Sequence, residues 1–120
     1  MSLTHWLPGM KAVGRRGNPT AWFRLEEERG RLHGEWADAK PDLSDPATIG
    51  GLLHLVRRAY ANPNHLWGGR IEVHQDHHAL FMVVRPEHDP NGALVHTFIA
   101  SGPTEAEALL NALHQAKPTP

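Results

Sequence analysis

Residues 70–102 read RIEVHQDHHALFMVVRPEHDPNGALVHTFIASG, and the fold turns on how this stretch divides into strands. Arg70 to Asp76 alternates, with Ile71 and Val73 on one side and Glu72 and His74 on the other, the period of a half-buried strand. Ala79 to Arg85 and Ala93 to Ala100 are apolar on both sides and rich in the residue types that strands favour. Pro86, Pro90 and Asn91-Gly92 mark the loop between them. Three strands with short connections predict an antiparallel meander. Treating His77-His78 as a two-residue turn sets Val73 opposite Met82, Ile71 opposite Val84 and His74 opposite Phe81. One face then carries Ile71, Val73, Leu80, Met82 and Val84. The other gathers Phe81 and Val83 beside Glu72, His74 and Arg85.

A helix is predicted on each side of the meander. Before it, Asp45 can accept from unpaired amides and Pro46 suits the first helical position. Ile49, Leu52, Leu53, Val56 and Tyr60 then share one face until Asn62-Pro63 stops the helix. Gly50-Gly51 weakens its first turn or permits a close approach of backbone. After the meander, Thr104-Glu105-Ala106-Glu107 has the form of a capping box. Ala106, Leu109, Leu110 and Leu113 follow as a stripe that ends at Lys117-Pro118.

Upstream, residues 1–24 hold Lys11, Arg15, Arg16 and Arg24 without an acid. Pro8, Gly9, Gly14, Gly17, Asn18 and Pro19 break any periodicity, so residues 1–19 read as an irregular basic arm. Residues 20–37 are expected to form a hairpin turning near Arg29-Gly30, with Leu25 opposite Leu32. The competing helix, capped by Asn18-Pro19 and pairing Arg24 with Glu28, would end on Glu26, Glu27 and Glu28 against its own dipole. The expected fold is α+β: an antiparallel sheet made of the N-terminal hairpin and the three-stranded meander, with two helices on one face. One domain would span 20–116, with a frayed tail at 117–120.

Composition narrows the function. The 120 residues include no cysteine, so disulfides, thiolate metal sites and thiol nucleophiles are excluded. With 12 Lys+Arg against 13 Asp+Glu the chain lacks the excess charge of a general polyanion binder. The longest apolar run, Ala79 to Val84, is far shorter than the ~20 residues of a membrane helix. Nothing near Met1 resembles a secretory signal, so a cytoplasmic location is expected. Phosphate-cradling glycine motifs and a Gly-x-Ser-x-Gly elbow are missing from the sequence, and no cofactor is expected.

Gly102, Thr104, Glu107 and Ala108 run from a strand into a helix start, and the segment from about Asp45 to Ala116 resembles small phage and prophage proteins of the ABA-sandwich type. The order of elements is also similar to HicB-type antitoxins and, in topology, to the double-stranded RNA-binding domain. The resemblance implies a small accessory protein of a phage or mobile element and brings no catalytic residues with it. The expected function is therefore a non-enzymatic protein-binding accessory or inhibitor acting against a host nuclease or defence complex.

Trp6 and Trp67, in irregular segments, are the expected interface anchors, together with His74, Phe81, Val83 and Arg85 on the second sheet face. A nucleic-acid-binding module using Lys11, Arg15, Arg16, Arg57 and Arg58 is the second reading. A metal enzyme is the third, because His74, His77 and His78 offer imidazole donors suited to zinc, nickel or copper. The ten histidines also act together: protonating all of them moves the formal charge from −1 to +9. Electrophoretic mobility should reverse direction between neutral pH and about pH 5; a mobility that stays flat over that range would contradict a titrating surface.

Overall fold

The computed structural model describes residues 3, 5–15, 18–30, 39–61 and 70–116, which form six strands and two helices. The chain divides into two compact units, 1–51 and 52–120, with the boundary inside the first helix. The class is α+β with antiparallel sheets, but there are two three-stranded sheets where one continuous sheet was expected.

In the first unit, β1 (Lys11–Arg15) lies between β2 (Asn18–Arg24) and β3 (Lys40–Pro41), antiparallel to both. Ala12 faces Phe23 and Val13 faces Trp22; the register then slips at Gly14, a bulge with φ of 80°. Residues 11–15 are thus a strand and not part of an irregular arm. The glycine that breaks the periodicity is the bulge itself, and Pro19 and Pro41 occupy outer strands, where a missing N–H is tolerated. The hairpin about Arg29-Gly30 is also corrected. β2 takes the preceding strand as its partner, while Arg29 and Trp6 exchange backbone hydrogen bonds of 2.6 and 2.8 Å. Leu32 lies outside the described residues, and the helical alternative fails because 18–24 is extended.

Trp6, Leu7, Met10, Ala12 and Leu25 are buried in this unit. The Met10 side chain fills the space a β-carbon at Gly51 would take, which accounts for that glycine in an otherwise good helix. A polar knot joins β1 and β2 to the start of α1 (Pro46–Ala59). Arg24 donates to both carboxylate oxygens of Asp45 at 2.9 and 3.1 Å. Asp45 caps α1 as expected, accepting from the Thr48 N–H at 3.0 Å. The buried Thr48 hydroxyl donates to Asp45 and accepts from the Lys11 N–H at 2.8 Å. The Arg24 guanidinium, and then the Thr48 donors, hold the Asp45 carboxyl well below the usual carboxylate range.

The second unit holds the remaining part of α1, the meander β4 (Glu72–Gln75), β5 (Phe81–His88) and β6 (Leu94–Gly102), and α2 (Glu105–Gln115). The order is β4-β5-β6 with β5 central. Both hairpins use the same five-residue connection, Asp76-His77-His78-Ala79-Leu80 and Asp89-Pro90-Asn91-Gly92-Ala93. In each, the aspartate accepts from backbone N–H groups two and four residues on, at 2.8–2.9 Å. The fourth residue is left-handed in both: Gly92 at φ 85° and Ala79 at φ 65°.

Ala79 therefore adds a residue to the two-residue turn read from the sequence, and the register moves by one. Val73 faces Val83, His74 faces Met82 and Gln75 faces Phe81. A second slip between Val83 and Val84 leaves Ile99 without an opposite residue in β6. Pro86 pairs with His96 beyond the end of the β4 ladder, so among the described residues β5 has one paired neighbour there and needs no N–H on its other side.

Val73, Val83, Ala100 and Gly102 share the face on which α2 packs. A β-carbon at Gly102 would lie 2.7 Å from the Ala108 nitrogen, so only glycine lets the helix approach the strand this closely. Asn111 donates to the Ser101 carbonyl at 3.0 Å and Tyr60 to that of Ala112 at 2.9 Å. Ala106, Ala108, Leu109, Leu110 and Ala112 are buried along α2. Thr104 caps the helix by accepting from the Glu107 N–H at 3.1 Å. The return half of the capping box is not made, since Glu107 Oε2 is buried without a partner among the described residues.

Two substitutions test these constraints by urea denaturation. Gly102→Ala should cost about 2–3 kcal/mol, because backbone blocks backbone and no side chain can yield. Ala79→Gly should stabilise by about 0.5–1 kcal/mol, the left-handed penalty of an alanine outweighing the greater unfolded-state entropy of glycine. A destabilised Ala79→Gly variant would mean that the turn is not the one described.

Candidate functional site

The corrected register sorts the meander into two faces. Ile71, Val73, Phe81, Val83 and Arg85 lie on the side of α2, and the opposite side carries Glu72, His74, Met82, Val84, Pro86, Leu94, His96 and Phe98. On this second side the two outer strands supply the polar groups. Glu72 and His74 sit two apart on β4, so they share a face by the strand period, and His74 Nε2 is 3.0 Å from Glu72 Oε1. The other carboxylate oxygen meets Arg70 at 3.4 Å. From β6, His96 brings its ring to 5.6 Å from that of His74, edge to face at 74°. One donor atom from each of Glu72, His74 and His96 lies within 4.8 Å of the other two. Among the described residues this is the one such group of three histidine or carboxylate side chains.

The same strand carries the most exposed large apolar side chains. Phe98 is 59% and Leu94 55% exposed, on either side of His96 on the same face, and Val95 is 40% exposed on the other. The five residues from Leu94 to Phe98 contain neither a formal charge nor a proline. Among the described residues, β6 pairs only with β5, so its far edge is the edge of the sheet.

The residues expected from the sequence fall differently. His74 is exposed on the face away from α2, whereas Phe81, Val83 and Arg85 are on the α2 face, so the four do not form one surface. Val83 is fully buried and Trp6 is 1% exposed, which removes both as contacts for a partner. Arg85 donates to the Tyr60 carbonyl at 2.8 Å and to Glu87 at 3.3 Å, with its guanidinium 5.4 Å from the Tyr60 ring centre. It braces the second unit from within. Trp67 lies outside the described residues.

The basic set is likewise dispersed. Lys11 is paired with Asp42 at 3.4 Å. Arg16 and the side chain of Arg15 lie outside what the structure describes. Arg57 and Arg58 are exposed in the last turn of α1, where Arg57 donates to the Ile71 carbonyl at 3.3 Å.

The histidine cluster expected at 74, 77 and 78 is corrected too. His77 and His78 occupy the hairpin tip with their ring centres 4.1 Å apart and their planes tilted by 47°, apart from the group that holds His74. Asp76 is committed to its turn: hydrogen bonds from the Leu80 and His78 N–H groups hold its carboxyl below the usual range. Glu72-x-His74 was legible as a same-face pair on a strand. His96 was not, since it joins that pair only through the β5–β6 register and its bulge. No family model, curated protein or solved structure matches the chain.

Proposed function

We propose that this chain is a protein-binding module, acting as an accessory or inhibitor, whose contact surface is the outer half of β6. The observation that carries this reading is the exposure of Phe98 and Leu94 on an edge strand. Burying one such side chain in an interface is favourable by ~1.5–3 kcal/mol, so leaving two in water on one strand is costly unless a partner covers them. Natural sheets normally blunt such an edge with lysine, proline or an inward charge, and Leu94 to Phe98 has none of these. The occupant that fits is an extended segment of a second protein, added beside β6 through backbone hydrogen bonds and seated on Phe98 and Leu94. A host nuclease or defence complex as the target rests on the sequence resemblance alone.

The test is quantitative capture from lysate of the source cells with wild-type protein and with Phe98→Lys and Leu80→Lys. Leu80 is also exposed, at 43%, but lies in the first hairpin loop and serves as the control. A retained protein should fall ~10-fold or more with Phe98→Lys and remain with Leu80→Lys, as expected for a hot-spot aromatic. Equal retention by both variants, or self-association through β6 with no second protein, would overturn the reading.

A further inference from the structure

We propose that Glu72, His74 and His96 form a binding site for a divalent first-row transition metal ion, with zinc(II) as the occupant. Two imidazoles and one carboxylate are a donor set that such ions share, and they discriminate against the all-oxygen preference of magnesium and calcium. Ligand atoms at ~2.0–2.1 Å from a tetrahedral ion are ~3.3 Å from one another. Glu72 and His74 already stand 3.0 Å apart, and the donor atoms of all three residues lie within 4.8 Å of one another.

All three residues stand on paired strands of one sheet, with the β5–β6 bulge at Ile99 beside them. β4 supplies two ligands from one face, and β6 supplies the third across β5. Among the described residues the His96 ring contacts His74 and has no hydrogen-bond partner, so a ring nitrogen is available for an ion. Arg70 lies 3.4 Å from the second oxygen of Glu72, in the place of an outer partner to that carboxylate. Binding replaces the hydrogen bond between His74 Nε2 and Glu72 Oε1 with two metal bonds; any proton held between them passes to solvent.

Three protein ligands leave one position of a tetrahedral ion for water or for a donor from a partner. The inference rests on these three side chains and does not depend on the docking reading.

The experiment titrates the full-length, untagged, metal-free protein with zinc chloride at neutral pH by calorimetry, and follows the histidine ring resonances by NMR. Wild type should bind one equivalent, shift the His74 and His96 rings and leave His77 and His78 in place. His96→Ala and Glu72→Gln should each weaken binding ~10-fold or more. All three positions are at least partly exposed, so metal-free thermal midpoints should match wild type and report intact folding. The His77→Ala/His78→Ala double variant should bind as wild type does. No stoichiometric binding, unchanged affinity in His96→Ala, or zinc shifts confined to His77 and His78 would overturn the assignment.

Discussion

The Asp76 carboxylate accepts the N–H groups of His78 and Leu80 and so closes a five-residue connection between β4 and β5. That closure holds Ala79 in a left-handed conformation and thereby fixes the pairing of β4 with β5. Because side chains alternate across a strand, a shift of one residue exchanges the relative faces of two paired strands. His74 therefore shares a face with Met82 and Val84, not with Phe81 and Val83, and everything on that face follows. Asp89 repeats the device with Gly92, so both hairpins of the meander are closed by the same chemistry.

Close approach is the second constraint on this unit. Gly102 lets the start of α2 lie against the end of β6, and Thr104 caps the helix two residues later. The Gly–x–Thr–x–x–Glu–Ala pattern thus has a physical basis in steric fit and helix capping, independent of any activity. In the first unit the comparable element is polar. Arg24, Asp45 and Thr48 tie a bulged strand pair to a helix start with charge-assisted bonds, and this lets a stretch rich in glycine and proline hold strand geometry.

Both proposed readings fall on β6 because an edge strand offers two kinds of unsatisfied surface at once. Its outer backbone groups have no partner among the described residues, and its side chains on the face away from α2 are Leu94, His96 and Phe98. The apolar pair suits an extended segment of another protein, while the histidine between them meets Glu72 and His74 from β4. An ion with one open position would add a polar anchor point to an otherwise apolar strip. The protein-binding and metal-binding readings thus occupy one face without requiring each other.

Local chemistry was readable where it stays local. The cap at Asp45, the cap at Thr104, the apolar stripe of α2 and the three strands of the meander each follow from neighbours within a few residues, and each is present. Glu72 and His74 were likewise legible as a pair, since a strand puts i and i+2 on one side. The strand at Lys11–Arg15 was not, because a bulge at Gly14 erases the alternation that signals a strand and only pairing to β2 and β3 restores it. The sequence alone determined which residue types could bind and which elements would carry them. The tertiary structure decided which of them meet, because one left-handed alanine and one bulge at Ile99 bring His96 to Glu72 and His74 and turn Val83 inward. Both are single-residue backbone choices whose energies depend on the pairing of whole strands, and no local pattern reports them.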